Sequence, residues 1–365
     1  MSLKLSRRSL IAAAGGFAAA GLVGTRVAAQ VRPPTGMLRL IANENPYGPS
    51  PAARAAAEQA AADGWKYAMR ETGALKKLIA QHEGVTTKSV MVTAGSSEAL
   101  RVAALAFGQN GGRVVAATPT FAFVPDYARA LGCEIDEIPL NASMAHNLDA
   151  MAEAVRDDTR LVYVCNPNNP TGTLVAGDKL AAFIDAVTPR APVLVDEAYL
   201  DLWDDIATHT AVGSVRAGKP VIVTRTFSKL HGMAGMRIGY ALAPPQVIER
   251  LERLRVSMLN RAGVLAATAS LQDEEFLAFS RARIRECLQI TGDVLAEVGR
   301  PFVPSRGNFI YFDTGGSPRE FMAAMGKAGI LTGIGYAPYP TWARVSMGRV
   351  EDMRVFADAA RQYFA

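Results

Sequence analysis

Seven short apolar runs, rich in β-branched residues and bounded by turn residues, constrain this chain more than any other feature. They are Val90–Thr93, Arg113–Ala117, Cys133–Ile135, Leu161–Cys165, Val193–Val195, Val221–Thr224 and Ile238–Leu242. Their length and side chains favour strands buried on both faces. Ser97–Gly108, Phe123–Gly132 and Ala176–Thr188 read as helices between them. Strand and helix alternating in this way predict an α/β fold: a large domain with a mainly parallel sheet of seven strands lying between helices. Upstream, residues 33–50 are rich in Pro, Gly and Asn and read as an extended arm without regular structure, followed by helices at Pro51–Ala62 and Gly73–His82. After Pro244-Pro245 the pattern changes to a long helical region over 246–299, a strand at Asn308–Asp313, a helix at Pro318–Gly329, a strand at Ala343–Met347 and a last helix at Val350–Phe364. The expected organisation is a leader over 1–29, an arm and helix over 30–62 that join the smaller domain, a large domain over 63–245, and a smaller α+β domain over 246–365.

The leader stands apart in charge. Lys4, Arg7, Arg8 and Arg26 lie in it with no acid, and supply four of the net +5 charges of the chain. A polar start containing Arg7-Arg8, an Ala/Gly-rich run from Ala12 to Val23, and Val27-Ala28-Ala29 before Gln30 follow the order of an export signal. The paired arginines resemble the twin-arginine type, which carries folded proteins, and imply a periplasmic or exported protein. The run is too short and too weakly apolar for a stable membrane span. The rest of the chain is close to neutral and has no basic stripe with interleaved aromatics, which argues against nucleic acid as a partner. Half of the residues are hydrophobic and a fifth are charged, which excludes a disordered or collagen-like chain. Cys133, Cys165 and Cys287 fit neither a disulfide framework nor a zinc site and read as small buried hydrophobes. With His82, His146, His209 and His231 they show no metal-ligand spacing.

Four clusters fall at strand-to-loop positions, where open α/β sheets bind ligands. Thr226-Phe227-Ser228-Lys229 opens a Gly-rich turn that ends in Arg237. Its lysine reads either as a solvated loop residue or as a nucleophilic amine activated by burial and cationic neighbours. Thr226, Ser228 and Arg237 together offer two hydroxyls and a guanidinium fork to a phosphate. Asp196-Glu197-Ala198-Tyr199 follows the apolar run Val193–Val195, and an acid buried there needs a cation such as a protonated pyridine nitrogen; a helix cap or surface turn is the plainer reading. Asn166-Pro167-Asn168-Asn169-Pro170-Thr171-Gly172 makes a turn in any protein, and its Asn169 amide is a donor suited to a phenolate-like oxygen. Ala94-Gly95-Ser96-Ser97 places a glycine and hydroxyls at the start of a helix, where backbone N–H groups cradle phosphate, or where a serine simply caps the helix.

In this order the clusters resemble the fold-type I pyridoxal-phosphate aminotransferases, most closely the histidinol-phosphate aminotransferase-like branch. The resemblance runs from Ala42-Asn43-Glu44-Asn45-Pro46-Tyr47-Gly48 to Arg344-Val345-Ser346-Met347-Gly348-Arg349, and Asp196 precedes Lys229 by 33 residues. It implies that Lys229 forms the internal aldimine with pyridoxal 5'-phosphate and later moves the α-proton. It implies that Asp196 keeps the pyridine nitrogen protonated and that Asn169 and Tyr199 contact the phenolic oxygen. Ser96, Ser97, Thr226, Ser228 and Arg237 are then the phosphate holders, and Phe121 stacks on the ring without a tyrosine's hydroxyl. Tyr67 resembles a tyrosine that reaches the phosphate from a neighbouring subunit, which implies a homodimer with shared sites. Arg344 corresponds to the anchor of the substrate's carboxylate or phosphate, and Asn45 and Tyr47 join it as substrate-binding residues.

The reaction implied is transfer of an amino group from an amino acid or amino-phosphate to a 2-oxo acid. A decarboxylase or lyase on the same scaffold, and a non-catalytic binding protein that kept the fold, are the competing readings. Keto acid against carbon dioxide among the products separates the first two; loss of the cofactor's absorption band marks the third. The leader has its own test. A reporter fused to residues 1–30 is expected to be exported, and to stay in the cytoplasm once Arg7 and Arg8 are both changed to Lys, as fractionation will show.

Overall fold

The computed structural model describes residues 36–256, 258–333 and 335–365, so the leader lies outside the described residues. Along the chain, strand β1 (Leu38–Leu40) leads into helices α1 (Pro51–Ala62) and α2 (Met69–His82). Then come β2 (Val90–Thr93), α3 (Ser96–Gly108), β3 (Gly112–Thr118), α4 (Phe123–Ala130), β4 (Cys133–Pro139), α5 (Leu148–Glu153), β5 (Thr159–Cys165) and α6 (Gly177–Val187). They are followed by β6 (Val193–Asp196), the short α7 (Ile206–His209) and α8 (Val212–Arg216), β7 (Val221–Thr226) and β8 (Gly239–Leu242). The C-terminal part comprises α9 (Pro245–Glu252), α10 (Arg261–Leu271), α11 (Glu274–Glu297), β9 (Phe302–Val303), β10 (Phe309–Asp313), α12 (Pro318–Lys327), β11 (Ile330–Thr332), β12 (Trp342–Ser346) and α13 (Val350–Phe364).

The seven runs form one sheet in the order β2-β8-β7-β6-β5-β3-β4. Strands β3 to β7 pair in parallel, and β8 runs antiparallel to both β7 and β2. Successive side chains of a strand point to opposite faces, and the two cores follow that alternation. Val115, Val162, Val164, Val193, Val195, Val221 and Val223 pack on one face with Ile79 of α2 and Ile184 of α6. Val114, Leu161, Tyr163, Leu194 and Ile222 pack on the other with α3 and with Val124 of α4. A separate core gathers Cys287, Leu295, Phe312, Phe321, Val345 and Phe356 around the antiparallel sheet β12-β10-β9.

Three expectations change. The region over 246–299 is three helices, and two of them belong with the large sheet: Ile248 and Leu251 of α9 join one of its cores, and Val264, Ala266 and Ala267 of α10 join the other. The C-terminal core therefore begins at α11 rather than at residue 246. Helix α1 packs chiefly against α10, and its Ala53 lies in the sheet's core, so it does not join the smaller domain. An alanine-rich helix carries no mark of which core it will enter. The arm, finally, is not featureless. Strand β1 pairs in parallel with β11, and Leu40 is buried in the C-terminal core.

The arm then crosses the turn that follows Lys229. A Cβ added at Gly48 would fall 2.7 Å from the Gly232 Cα, and one at Gly232, whose φ is +65°, would fall 2.4 Å from the Gly48 Cα. Backbone meets backbone there because neither residue has a side chain.

Candidate active site

Strands β5, β6 and β7 end at Cys165, Asp196 and Thr226, and all three residues line one cavity of about 580 Å³. Its other walls include Lys229, Asn169, Tyr199, Arg237 and Arg344. The site thus opens at the carboxyl ends of the parallel strands, as expected of an open α/β sheet.

Asp196 is buried and lines this cavity. Thr224 donates to its Oδ1 at 3.0 Å and the enclosed Tyr163 phenol to its Oδ2 at 3.4 Å. Burial pushes the carboxyl up to about 6, against the pull of these donors, the Ala198 N–H and the charge of Lys229. A cation beside it would restore the charged form, and a protonated ring nitrogen is such a cation. The next residue, Glu197, serves a different group. It accepts from the buried Arg225 guanidinium, which also faces Glu83, and Tyr240 donates to Glu83 at 2.6 Å. This second polar cluster braces the ends of β6 and β7.

Lys229 is partly buried, with its Nζ donating to the Asn43 carbonyl at 3.0 Å and lying 5.5 Å from the centre of the Tyr199 ring. Burial pulls the amine down to about 8; Arg344 and Arg237 add to this, and Glu44 and Asp196 oppose it. A substantial share of neutral amine is therefore present at mildly alkaline pH, as a nucleophile or proton carrier needs.

The far end of the cavity is built for an anion. Helix α3 starts at Ser96 with Gly95 as its cap and no side chain capping it, so its first N–H groups are free of such a bond. Gly95 has φ +77°, and a Cβ there would lie 2.4 Å from an Arg237 nitrogen, so this glycine lets the guanidinium approach the helix end. Arg237 itself has φ +55°, a costly conformation for a side-chain residue that suits a functional site. Its Nη2 reaches Ser97 Oγ at 3.5 Å, and Thr226 donates to Ser228 at 2.9 Å beside it.

Asn166 and Asn168 shape their turn: Asn166 closes onto Val175, and Asn168 binds Thr120 and the Pro119 carbonyl. Asn169 is left for the cavity. Its Oδ1 accepts from Arg344 Nη1, which leaves the amide nitrogen as the donor that can meet a phenolic oxygen. Arg344 is buried; its Nη2 donates to the Ile41 carbonyl, and its Nε has no hydrogen-bond partner among the described residues. Tyr199 accepts from Asn43 Nδ2 at 3.0 Å, and burial keeps its phenol protonated well above the usual range. Phe121 lies in the cavity wall, stacked on Phe123 at 5.6 Å.

Of the expected residues, Asn45 and Tyr47 do not face the cavity. Asn45 donates to the Leu230 carbonyl and to Ser280, and the Tyr47 hydroxyl accepts from the Val350 N–H, so both fasten the arm to its surroundings. Tyr67 is exposed between α1 and α2, outside the cavity of its own chain. Sequence reasoning missed Asn43, Tyr163 and Tyr336. The only signal available was the position of Asn43 in the motif that opens the resemblance. Among the described residues, no group of His, Cys, Asp and Glu could hold a metal ion, and no helix is long and apolar enough to cross a membrane.

A pyridoxal phosphate fits this donor set: an uncapped helix end with Arg237 for the phosphate, a buried carboxylate for the ring nitrogen, and a lysine of lowered pKa for the carbonyl. Fold and site together define a fold-type I pyridoxal-phosphate enzyme. The chain belongs to the class I and II aminotransferases, whose family pattern matches residues 35–359. It is 35% identical over 332 residues to the histidinol-phosphate aminotransferase of Moorella thermoacetica, covering 90% of this chain and 86% of that one. It is 36% identical over 323 residues to histidinol-phosphate aminotransferase 2 of Ralstonia nicotianae, covering 87% and 86%. The solved histidinol-phosphate aminotransferase of Sinorhizobium meliloti, in complex with pyridoxal-5'-phosphate, superposes with a TM-score of 0.83 at 29% identity over 90% of each chain. The protein is a pyridoxal-phosphate-dependent transaminase.

The lowered pKa of Lys229 sets a pH dependence for cofactor capture. Mixing apoprotein with pyridoxal phosphate and following absorbance should give a capture rate that climbs with pH and levels off above about 8, where the amine is neutral. A rate still climbing steeply near pH 10, about the value of an unperturbed lysine, would contradict the assignment.

Proposed function

We propose that this enzyme moves an amino group between an amino acid, or an amino-phosphate such as histidinol phosphate, and a 2-oxo acid, with Arg344 holding the anionic head of the substrate. The observation that carries this is the state of Arg344. It is a buried guanidinium in the wall of the Lys229 cavity, and among the described residues its hydrogen-bond partners are the neutral Asn169 amide and Ile41 carbonyl, with its Nε unpaired. A buried charge without a counter-charge is costly, and an incoming carboxylate or phosphate supplies one. The plainer role, a salt bridge to Glu351 or Asp352, is not among its contacts. The names of the relatives favour the same substrate class.

When bound, the cofactor supplies the electron sink for the chemistry. The protein's own groups do the rest. Arg344 offers parallel N–H donors that fix the substrate's head. Asp196 stays charged to hold the ring nitrogen's proton. Asn169, its orientation set by Arg344, would hold the phenolic oxygen through its amide nitrogen. Lys229, neutral for part of its time near pH 8, takes up and returns a proton at Nζ.

The substitution Arg344→Lys keeps the charge and loses the fork. It should cost on the order of 2–5 kcal/mol in kcat/KM for the preferred amino donor, with the cofactor's absorption band unchanged. Wild-type activity, or loss of the cofactor, would sink the anchor role. A half-reaction screen of amino acids and histidinol phosphate, read on that band, identifies the donor.

The same reading includes a homodimer. Trp65, Tyr67 and Met69 are exposed, as are Val256 and Met258. The two segments sit together, because Arg261 pairs with Asp63 and Glu71. Val256 also shares a hollow with Ser97 and Arg237, at the phosphate end of the cavity. A second copy of this chain, covering the patch and offering its Tyr67 to the phosphate, accounts for both features. Sedimentation equilibrium should show a dimer, and Tyr67→Phe should weaken cofactor binding; a monomer with full affinity would end the proposal. The leader's place in this reading is export, giving a periplasmic or exported enzyme.

A further inference from the structure

Asn43 sits in the arm, only 2% exposed, with φ +52°. An asparagine held in that conformation while buried is kept there by its surroundings, and here all of its polar groups are engaged. The Asn43 N–H donates to Ser346 Oγ at 2.9 Å, and the Ser346 hydroxyl donates to Asn43 Oδ1 at 2.7 Å. The Asn43 carbonyl accepts from Lys229 Nζ at 3.0 Å and from Asn308 Nδ2 at 3.0 Å. The amide nitrogen donates to the Tyr199 hydroxyl oxygen at 3.0 Å.

The Asn43 amide lies with Oδ1 toward the Ser346 hydroxyl and Nδ2 toward the Tyr199 oxygen. An amide nitrogen donates and does not accept, so the phenolic proton of Tyr199 cannot point at Asn43. Tyr199 remains a neutral phenol because burial holds its ionisation far above neutral pH. Its proton is then left to point into the cavity that Tyr199 lines.

We infer that Asn43 is a positioning residue that makes Tyr199 a hydrogen-bond donor toward the cofactor's phenolic oxygen, and that ties this donor to the strand carrying Arg344. Ser346 lies two residues after Arg344 on β12, so both side chains project from the same face of that strand. One asparagine therefore links the substrate anchor's strand, the tyrosine and the amine of Lys229. The inference rests on the reading that Tyr199 touches the phenolic oxygen, and its test separates the two.

The test is a double-mutant cycle of Asn43→Gly and Tyr199→Phe. Glycine accepts a positive φ without strain, so this change removes the amide and keeps the backbone. Two quantities are read: the dissociation constant of pyridoxal phosphate from the apoprotein, and the pH midpoint of the bound cofactor's absorption change. A donor to the phenolic oxygen favours the more anionic form, so its loss should move the midpoint upward. Asn43→Gly alone should do this and weaken cofactor binding by about 3- to 10-fold, the scale of one hydrogen bond. In the Tyr199→Phe background it should change neither quantity further. Equal effects in both backgrounds would overturn the role assigned to Asn43. No effect of Tyr199→Phe itself would remove the reading beneath it, and the inference with it. Should the glycine variant fail to fold, Ser346→Ala carries the same cycle without adding a charge: it removes the hydroxyl that holds Asn43 Oδ1 away from Tyr199, and should raise the midpoint in the same direction.

Discussion

A carboxylate buried at the end of a central strand is the constraint around which this molecule is arranged. Asp196 occupies that place, and among the described residues its charge has no ion-pair partner within hydrogen-bonding distance. Thr224 and Tyr163 supply hydrogen bonds, yet burial still lifts its pKa to about 6. Such a group is stable as an anion only when a cation arrives. The same cavity holds the opposite problem in Arg344, a buried cation whose nearest partners are neutral. The site therefore carries two unmet charges of opposite sign, one for the cofactor and one for the substrate. Lys229 feels both, Arg344 pulling its pKa down and Asp196 pulling it up.

The sheet handles charge differently on its two sides. Adjacent residues of an extended chain diverge, so Asp196 faces the cavity while Glu197 turns to Arg225. That second cluster is closed: Arg225 meets Glu197 and Glu83, and Thr210 and Tyr240 complete the bonds. Removing one partner of such a buried set costs about 3–5 kcal/mol because the remaining charge is stranded. A fully paired cluster behind an unpaired carboxylate keeps the strand ends rigid while leaving one charge free to work.

Much of this was legible in the sequence because its causes are local. β-Branched runs become strands when both faces are covered, and all seven predicted strands are in the sheet. Asp196, Asn169, Lys229 and Arg237 sit next to strand ends or in distinctive turns, Arg344 lies within a short strand, and all five line one cavity. The failures share a different cause. Strand β1 has three residues and exists only because β11 lies beside it. Helices α9 and α10 take their core from the sheet they cover, which composition does not reveal. Asn45 and Asn43 lie two residues apart in one polar motif, yet one fastens the arm and the other enters the site. Only the path of the chain through a left-handed residue decides which is which.

The arm gives the site a mechanical dependence on its own N-terminus. Strand β1 is held edge to edge along β11 through three residue pairs, and the backbone then passes Asn43 before its Gly48 packs directly against Gly232. A pull on the chain upstream of Leu38 loads those three pairs in shear before it reaches Asn43. The pairs act as a strain relief for a wall of the cavity: traction spends itself in sliding one short strand along its neighbour, and the residues that hold Tyr199 and Lys229 feel it only after that register has slipped.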